Sequence, residues 1–207
     1  MPNQQQDAPL EYYRVKYRGA DPERIAVRTG APFDPVAGRF RLEAFGSIVY
    51  ASWPDFALSA GGPGKCPDAL LGFAAQILVI RFLTEGAHAP AQGRFKAYRE
   101  LPWGDVYDAN FQGRAIKRLA RRFGTNIGAF EKAAVSLGGV KRGLGDASYD
   151  LPFFGGVICR VILWAPEEDF PPSAQFLFSD NTPAAFNAED LAAVGDVVIS
   201  ALLMATG

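Results

Sequence analysis

The chain has 207 residues, of which 49% are hydrophobic and 21% are charged, and its formal net charge is -1. This composition is typical of a globular protein that is long enough to bury a sizeable core, and the near-zero charge gives no general attraction to nucleic acid or to an anionic membrane. The N-terminal residues lack the basic start and apolar run of a signal peptide, and no apolar helix candidate reaches the ~20 residues that span a bilayer. We therefore expect a cytoplasmic protein that has neither a membrane nor nucleic acid as its partner.

The N-terminal third carries two helix signals and one strand pattern. Asp21 is a preferred N-cap residue and Gly30 a preferred helix stop, so they bound a short helix. A longer helix is predicted to precede it and to end at Arg18. In residues 33–58 apolar and charged side chains alternate around a hinge at Gly46, which predicts a half-exposed antiparallel meander.

The middle of the chain mixes helix and strand signals. Residues 67–84 are the most apolar helix candidate and predict a central buried helix. Residues 94–101 are predicted to form a strand, and residues 103–110 an irregular, aromatic-rich segment. Residues 111–123 and 125–137 are predicted to form two helices.

The C-terminal part completes the fold prediction. Two apolar runs within residues 157–178 predict neighbouring strands, and Asn187 with Asp190 three positions later predicts a capped final helix. The elements together predict an α+β fold, with a mostly antiparallel sheet, a central buried helix and flanking helices. We expect residues 1–8 to be disordered and residues 9–207 to form a single domain.

Several kinds of site are removed by the residue types present. His88 is the only histidine, so a Ser-His-Asp or Cys-His catalytic site has little support and a histidine-rich metal site is excluded. Because His88 lies in a loop, we expect its side chain to be exposed. Cys66 and Cys159 lie far apart in the chain, which is no metal-binding or redox spacing, and we expect two free thiols. We predict no metal site, and the sequence identifies no cofactor.

The connection between the last two predicted strands is acidic and stiff. Glu167, Glu168 and Asp169 are adjacent, and Phe170 and two prolines follow them. We call these three carboxylates with Phe170 the acidic turn. It is either a functional carboxylate cluster, suited to a hard cation or to acid/base chemistry, or a solvated turn.

A second cluster lies around residues 99–107. Arg99, Glu100, Trp103 and Tyr107 either line a pocket or form a satellite core under a loop. If a pocket exists, we predict that a carboxylate of the acidic turn faces Arg99 or Trp103 across it. The predicted ligand-binding residues are Arg99, Trp103, Tyr107, Trp164 and Phe170.

Basic side chains crowd the helix predicted over residues 111–123. Apolar residues separate them, as in an ordinary amphipathic helix with a solvated face. The same pattern also suits contact with an anion, an acidic partner or RNA. The residues are Arg114, Lys117, Arg118, Arg121 and Arg122.

Four segments of the sequence together resemble one family. They are YRELPWGDVYDANF, GDASYDLPFFGG, VILWAPEEDFPPSAQFLF and FNAEDLAAVG, in this order. The chain resembles domain-of-unknown-function family 3786, which is found largely in anaerobic bacteria and archaea. The family's REL-P-x-G pattern matches Arg99, Glu100, Leu101, Pro102 and Gly104. Its other two patterns match Trp164, the acidic turn and Pro171, and then Glu189, Asp190, Leu191 and Ala192.

Two positions depart from the family pattern. Glu167 stands where the family usually has Asp, and Ser179 stands where it has the Asp of Leu-Phe-Asp. Asp180 could replace that missing Asp, or its role could be lost. The resemblance implies no known reaction, and only a setting in anaerobic one-carbon, corrinoid or iron–sulfur metabolism. The chain lacks the cysteine-rich iron–sulfur segment of some relatives.

Three functions are consistent with these observations. Because no complete nucleophile, metal or phosphate motif is present, the leading hypothesis is a non-enzymatic ligand-binding or accessory module. The alternative is an enzyme that uses Glu100 and a carboxylate of the acidic turn as general acid and base in an aromatic-lined pocket. A weaker alternative is binding of RNA or an acidic partner through the basic helix. The small molecule or protein partner is not identified by the sequence.

Overall fold

The N-terminal elements are two helices and a four-stranded sheet. The computed structural model of the protein describes residues 4–206, with side-chain environments from residue 10 to residue 206. The helices are α1 (Gln4–Arg18) and α2 (Pro22–Thr29), and the strands are β1 (Phe33–Asp34), β2 (Arg39–Ala44), β3 (Ser47–Ser52) and β4 (Leu58–Gly61). All neighbouring pairs in this sheet are antiparallel, so the predicted meander is confirmed.

The rest of the chain builds a second antiparallel sheet and its helices. The sheet has the order β5-β9-β8-β7-β6. Its strands are β5 (Phe95–Ala97), β6 (Val140–Arg142), β7 (Ala147–Phe153), β8 (Val157–Trp164) and β9 (Ser173–Ser179). The helices are α3 (Phe73–Thr84), α4 (Gly104–Phe111), α5 (Lys117–Phe123), α6 (Ile127–Ser136), α7 (Thr182–Ala185) and α8 (Ala188–Met204), and a π-helical turn, Gln112–Ile116, joins α4 to α5.

The predicted α+β class is confirmed, and the capping signals correctly placed both ends of α2 and the start of α8. The Asp21 side chain accepts a hydrogen bond from Glu23 N at 2.9 Å, and Gly30 ends α2 in the left-handed region at φ 67°. Asn187 and Asp190 form the predicted reciprocal capping box of α8. The strands were predicted to form a single sheet, but they form two separate sheets, β1–β4 and β5–β9.

Three predicted boundaries are wrong. The central helix begins at Phe73, because Gly72 is extended and only a single 3-10 turn, Asp68–Leu70, precedes it. The strand predicted over residues 94–101 stops at Ala97, where a second 3-10 turn begins. The segment predicted to be irregular, residues 103–110, is mostly helix α4.

The N-terminal prediction is only partly covered by the described residues. Helix α1 begins at Gln4, inside the segment 1–8 that was predicted to be disordered. The first three residues of that segment lie outside the described part of the chain, and the single-domain boundary at residue 9 stays a prediction.

Helices cover one face of the five-stranded sheet. Helices α5 and α6 pack on β7, β8 and β9, and α8 packs on α6 and on α3, which in turn contacts α1. Helix α3 is therefore central, but it is not the most buried element. Six of its twelve residues are buried, against six of seven in β7, because Gln76 and Arg81 keep part of its surface polar.

Both cysteines are free thiols, as predicted. Cys66 is half-buried and Cys159 is fully buried, and burial raises the pKa of each thiol. Among residues 4–206, no helix has the length and apolar character needed to cross a membrane.

The substitution Leu78→Ala should test the placement of α3. Leu78 is completely buried, so removing its side chain leaves a cavity that should lower the free energy of unfolding by roughly 2–5 kcal/mol. Chemical denaturation of both proteins measures the difference. Val27, which is 87% exposed, supplies the control, since Val27→Ala should change stability by less than about 0.5 kcal/mol. A Leu78→Ala loss as small as the control's would contradict the placement.

Candidate functional site

The residues of the REL-P-x-G segment build a tight entry into α4. The Glu100 side chain accepts a hydrogen bond from Ala97 N at 2.7 Å and closes the 3-10 turn Tyr98–Glu100. A Cβ atom at Gly104 would lie 1.8 Å from the Tyr98 carbonyl oxygen, so only glycine fits there. Glu100 and Gly104 therefore have structural tasks in this turn.

Trp103 lies between these residues and has an unusual backbone conformation. Its φ of 64° places it in the left-handed region, and 77% of its surface is exposed. A side chain in this region costs about 1–2 kcal/mol of backbone free energy, and such strain clusters at functional sites. The indole is thus held out into solvent by the turn and not by packing.

A groove of about 370 Å³ lies between this turn, the end of α4 and the β8–β9 pair. We call it the Arg99 groove. It brings together Arg99 and Trp164, two of the predicted ligand-binding residues that are far apart in the chain. Gln112 and Gln175 add amide groups that can donate and accept hydrogen bonds. The lining residues are Ala97, Tyr98, Arg99, Phe111, Gln112, Trp164, Ala174, Gln175 and Phe176.

Aromatic side chains form a rigid floor under the groove. The rings of Tyr98 and Phe111 are stacked, with centroids 4.4 Å apart, and Phe176 meets Phe111 edge-on at 5.7 Å. The Tyr98 hydroxyl donates a hydrogen bond to the Ala188 carbonyl oxygen at 2.7 Å. These contacts fix the position of the neighbouring Arg99 backbone.

The other three predicted ligand-binding residues do not line the Arg99 groove. Tyr107 lines a second depression of about 400 Å³, which shares Tyr98 and Phe111 with the groove and is bordered by α8. Trp103 and Phe170, which are 77% and 70% exposed, line neither of these two depressions.

The acidic turn is the tip of the β8–β9 hairpin. Glu167 N donates to the Phe170 carbonyl oxygen at 3.0 Å, and Phe170 N donates back at 3.1 Å, so Glu168 and Asp169 occupy the outer corner. All three carboxylates belong to exposed residues, and none lines the Arg99 groove. Within residues 10–206 they form no ion pair or side-chain hydrogen bond. The acidic turn therefore does not share the groove of Arg99, and its position relative to Trp103 stays a prediction.

Ser179 and Asp180 have different structural tasks. The Ser179 hydroxyl is buried and accepts a hydrogen bond from Ile158 N at 2.9 Å. Asp180 instead accepts from Gln92 N at 2.9 Å and contacts Arg94, and the hydrogen bond from Gln92 is the main reason that its pKa is low. Asp180 therefore ties down a loop and does not occupy the place of a side chain at position 179.

An ion cluster that the sequence did not reveal lies on the other face of the five-stranded sheet. Asp150, only 4% exposed, accepts from Arg160 at 2.6 and 2.9 Å and from Arg142 at 2.7 Å. Burial alone would raise the pKa of Asp150, but these hydrogen bonds outweigh it and lower the pKa. Arg160 also stacks on Phe95. The cluster joins three strands and is fully paired, which is typical of a structural role.

All five predicted basic residues are exposed on the π-helical turn and α5. Three of them line a shallow depression of about 540 Å³ beside α8, whose full lining is Gly113, Arg114, Arg118, Arg121, Asp196 and Ser200. Lys117 and Arg122 do not line it. The lone histidine, His88, is exposed as predicted, with Nδ1 3.3 Å from the Gly155 carbonyl oxygen.

Asp190, at the start of α8, is a buried acid whose shifted pKa the sequence did not predict. The Asp190 side chain is 6% exposed, and its Oδ1 lies 3.1 Å from Nε of Arg81. Burial raises the pKa of Asp190 to about 6, although Arg81 and the hydrogen bond from Asn187 N oppose the shift.

Among residues 4–206, no group of three or more His, Cys, Asp or Glu side chains could hold a metal ion.

The contribution of Asp190 to the stability of the protein should therefore fall as the pH rises from about 4 to about 6. In this window folded Asp190 keeps a proton that the unfolded chain, with a carboxyl pKa of 3.8, has lost. Stability present at low pH is lost as the pH passes the folded pKa, by about 3 kcal/mol at most. Denaturation of the wild type and of Asp190→Asn at several pH values measures this slope. Glu189→Gln, at a carboxylate that is 81% exposed, should keep the slope, and a slope unchanged in Asp190→Asn would contradict the assignment.

Comparison with known proteins places the chain in a family without adding a reaction. No curated protein and no solved structure matches the sequence. One family, described as Domain of unknown function (DUF3786), matches residues 21–201 and thus nearly the whole chain. The match includes all the residues of the Arg99 groove. The chain belongs to this family, as the resemblance of its four segments predicted.

Proposed function

We propose that the protein is a non-enzymatic ligand-binding or accessory module, and that the Arg99 groove is its binding site. The observation that carries the proposal is the meeting of Arg99 and Trp164 in one groove of about 370 Å³. Binding sites are typically concave and mostly apolar, with a few polar groups that orient the ligand. The groove is concave and combines aromatic side chains with the polar groups of Arg99, Gln112 and Gln175, and its volume lies at the lower end of the ~300–1,000 Å³ range of ligand pockets.

The groove favours a small, planar anion. Arg99 has no acidic partner within residues 10–206, so its guanidinium is free to pair with a carboxylate or phosphate. Trp164 is 37% exposed and offers a flat apolar face to a ring. Gln112 and Gln175 can satisfy further polar groups on the same ligand.

Catalysis has less support than binding. The general acid/base hypothesis requires Glu100 and the acidic turn to converge on one pocket. Glu100 is instead engaged as a cap by Ala97 N at 2.7 Å, and the acidic turn lies outside the groove. A ligand in the groove would meet no carboxylate among its lining residues.

The cellular setting is also part of the proposal. Two free thiols, Cys66 and Cys159, suit a reducing compartment, which supports a cytoplasmic location. The anaerobic one-carbon, corrinoid or iron–sulfur setting rests on the family resemblance, and we propose it on that ground alone.

Small-molecule binding can be measured with aromatic carboxylates as probes, namely benzoate and 4-hydroxybenzoate, together with native mass spectrometry of molecules that co-purify. We expect Arg99→Gln and Trp164→Ala each to weaken binding by about tenfold or more, because each removes one half of the recognition. The melting temperature should stay within a few degrees, since both side chains are partly exposed.

The control is the double substitution Glu168→Gln, Asp169→Asn at the hairpin tip. These residues are exposed and outside the groove, so binding should be unchanged. Loss of binding in this control with retention in Arg99→Gln would contradict the proposed site and revive the acidic turn. Failure of every probe and of native mass spectrometry to find a bound molecule would contradict ligand binding at this groove.

A further inference from the structure

Arg114, Arg118 and Arg121 line a concave surface beside α8. Arg114 lies in the π-helical turn, and Arg118 and Arg121 follow it along α5. They surround a depression of about 540 Å³ together with Asp196 and Ser200 of α8. Side chains from two separate helices thus converge on one space, with Gly113 leaving its rim open.

The charges in this depression are not balanced. Arg114 forms an ion pair with Asp196, whose side chain is 23% exposed. Within residues 10–206 neither Arg118 nor Arg121 forms an ion pair, which leaves two positive charges on one wall. The depression therefore presents two guanidinium groups that an anion could pair with.

The chemistry of the lining selects the kind of anion. Guanidinium groups present a planar fork of donors that matches phosphate oxygens, and the Ser200 hydroxyl can donate one more hydrogen bond. The Asp196 carboxylate keeps Arg114 oriented at the edge of the space. The π-helical turn that carries Arg114 is a rare structure that occurs frequently at functional sites.

We propose that the depression formed by Arg114, Arg118, Arg121 and Ser200 binds a phosphoryl group of a small molecule. This site is separate from the Arg99 groove and does not depend on the function proposed for it. The phosphoryl group has two sources to consider, free phosphate and a phosphorylated organic compound.

The neighbouring depression favours the organic source. It lies next to the arginines, has a volume of about 400 Å³, and is lined by Tyr98, Tyr107, Asn110, Phe111, Arg114, Glu189, Ala192 and Ala193. Arg114 borders both spaces. Tyr107 and Asn110 provide a ring face and an amide beside it, which suit a flat heterocyclic group attached to the phosphate.

Calorimetric titration with inorganic phosphate, pyrophosphate and AMP tests the site. We expect Arg118→Gln, Arg121→Gln to lose about tenfold or more in affinity for each probe that binds, because two charge-assisted contacts disappear. The matched control is Lys117→Gln, Arg122→Gln, which removes the same charge from the same helix outside the depression. It should keep the affinity within about twofold, because exposed charges that do not contact the ligand are largely screened by salt.

The outcomes separate the possible ligands. AMP binding more tightly than phosphate, with that advantage lost in Tyr107→Ala, identifies the organic source, and equal affinities identify the phosphoryl group alone. Equal losses in both double variants would mean unspecific charge attraction and overturn the proposal, as would binding of none of the three probes. Binding of a single-stranded RNA oligonucleotide but of no small phosphate would overturn it in favour of a nucleic-acid surface. Arg99→Gln should leave phosphate binding intact, so failure of the Arg99 groove proposal does not affect this result.

Discussion

The packing of Tyr98 is the constraint that shapes both the Arg99 groove and the depression lined by Tyr107. Its ring stacks on Phe111 of α4, its hydroxyl bonds to the first residue of α8, and its carbonyl oxygen lies against Gly104. One buried residue thus connects the end of β5, the start of α4 and the start of α8. Tyr98 lines both the Arg99 groove and the depression that Tyr107 lines. A shift of this residue would therefore change the shape of both spaces.

The sequence predicted those features whose causes are local. The N-cap at Asp21, the capping box at Asn187 and the alternating meander each depend on neighbouring residues, and the structure confirms them. Segment 103–110 was missed as a helix because its start depends on a contact between Gly104 and the carbonyl oxygen of Tyr98. That contact is visible only after the 3-10 turn has formed, since aromatic and glycine content alone favoured an irregular segment.

Sites depend on distant pairs and were correspondingly harder to predict. Arg99 and Trp164 were both chosen as candidates, but for separate reasons, and only the packing of β9 between the 3-10 turn and β8 brings them into one groove. Gln112, Gln175 and Phe176 were not predicted as site residues, and the last two were identified only as part of a strand. The acidic turn was the most conspicuous motif, and it lies at an exposed hairpin tip. Connections between buried strands run over the protein surface and are polar whether or not they have a function.

The contact at Gly104 also has a mechanical consequence. Because there is no free space between that residue and the 3-10 turn, α4 cannot move closer to Tyr98. Its other end continues into the π-helical turn that carries Arg114. Arg99 and Arg114 therefore flank one continuous helical segment, and a side chain larger than glycine at position 104 would have to shift that segment.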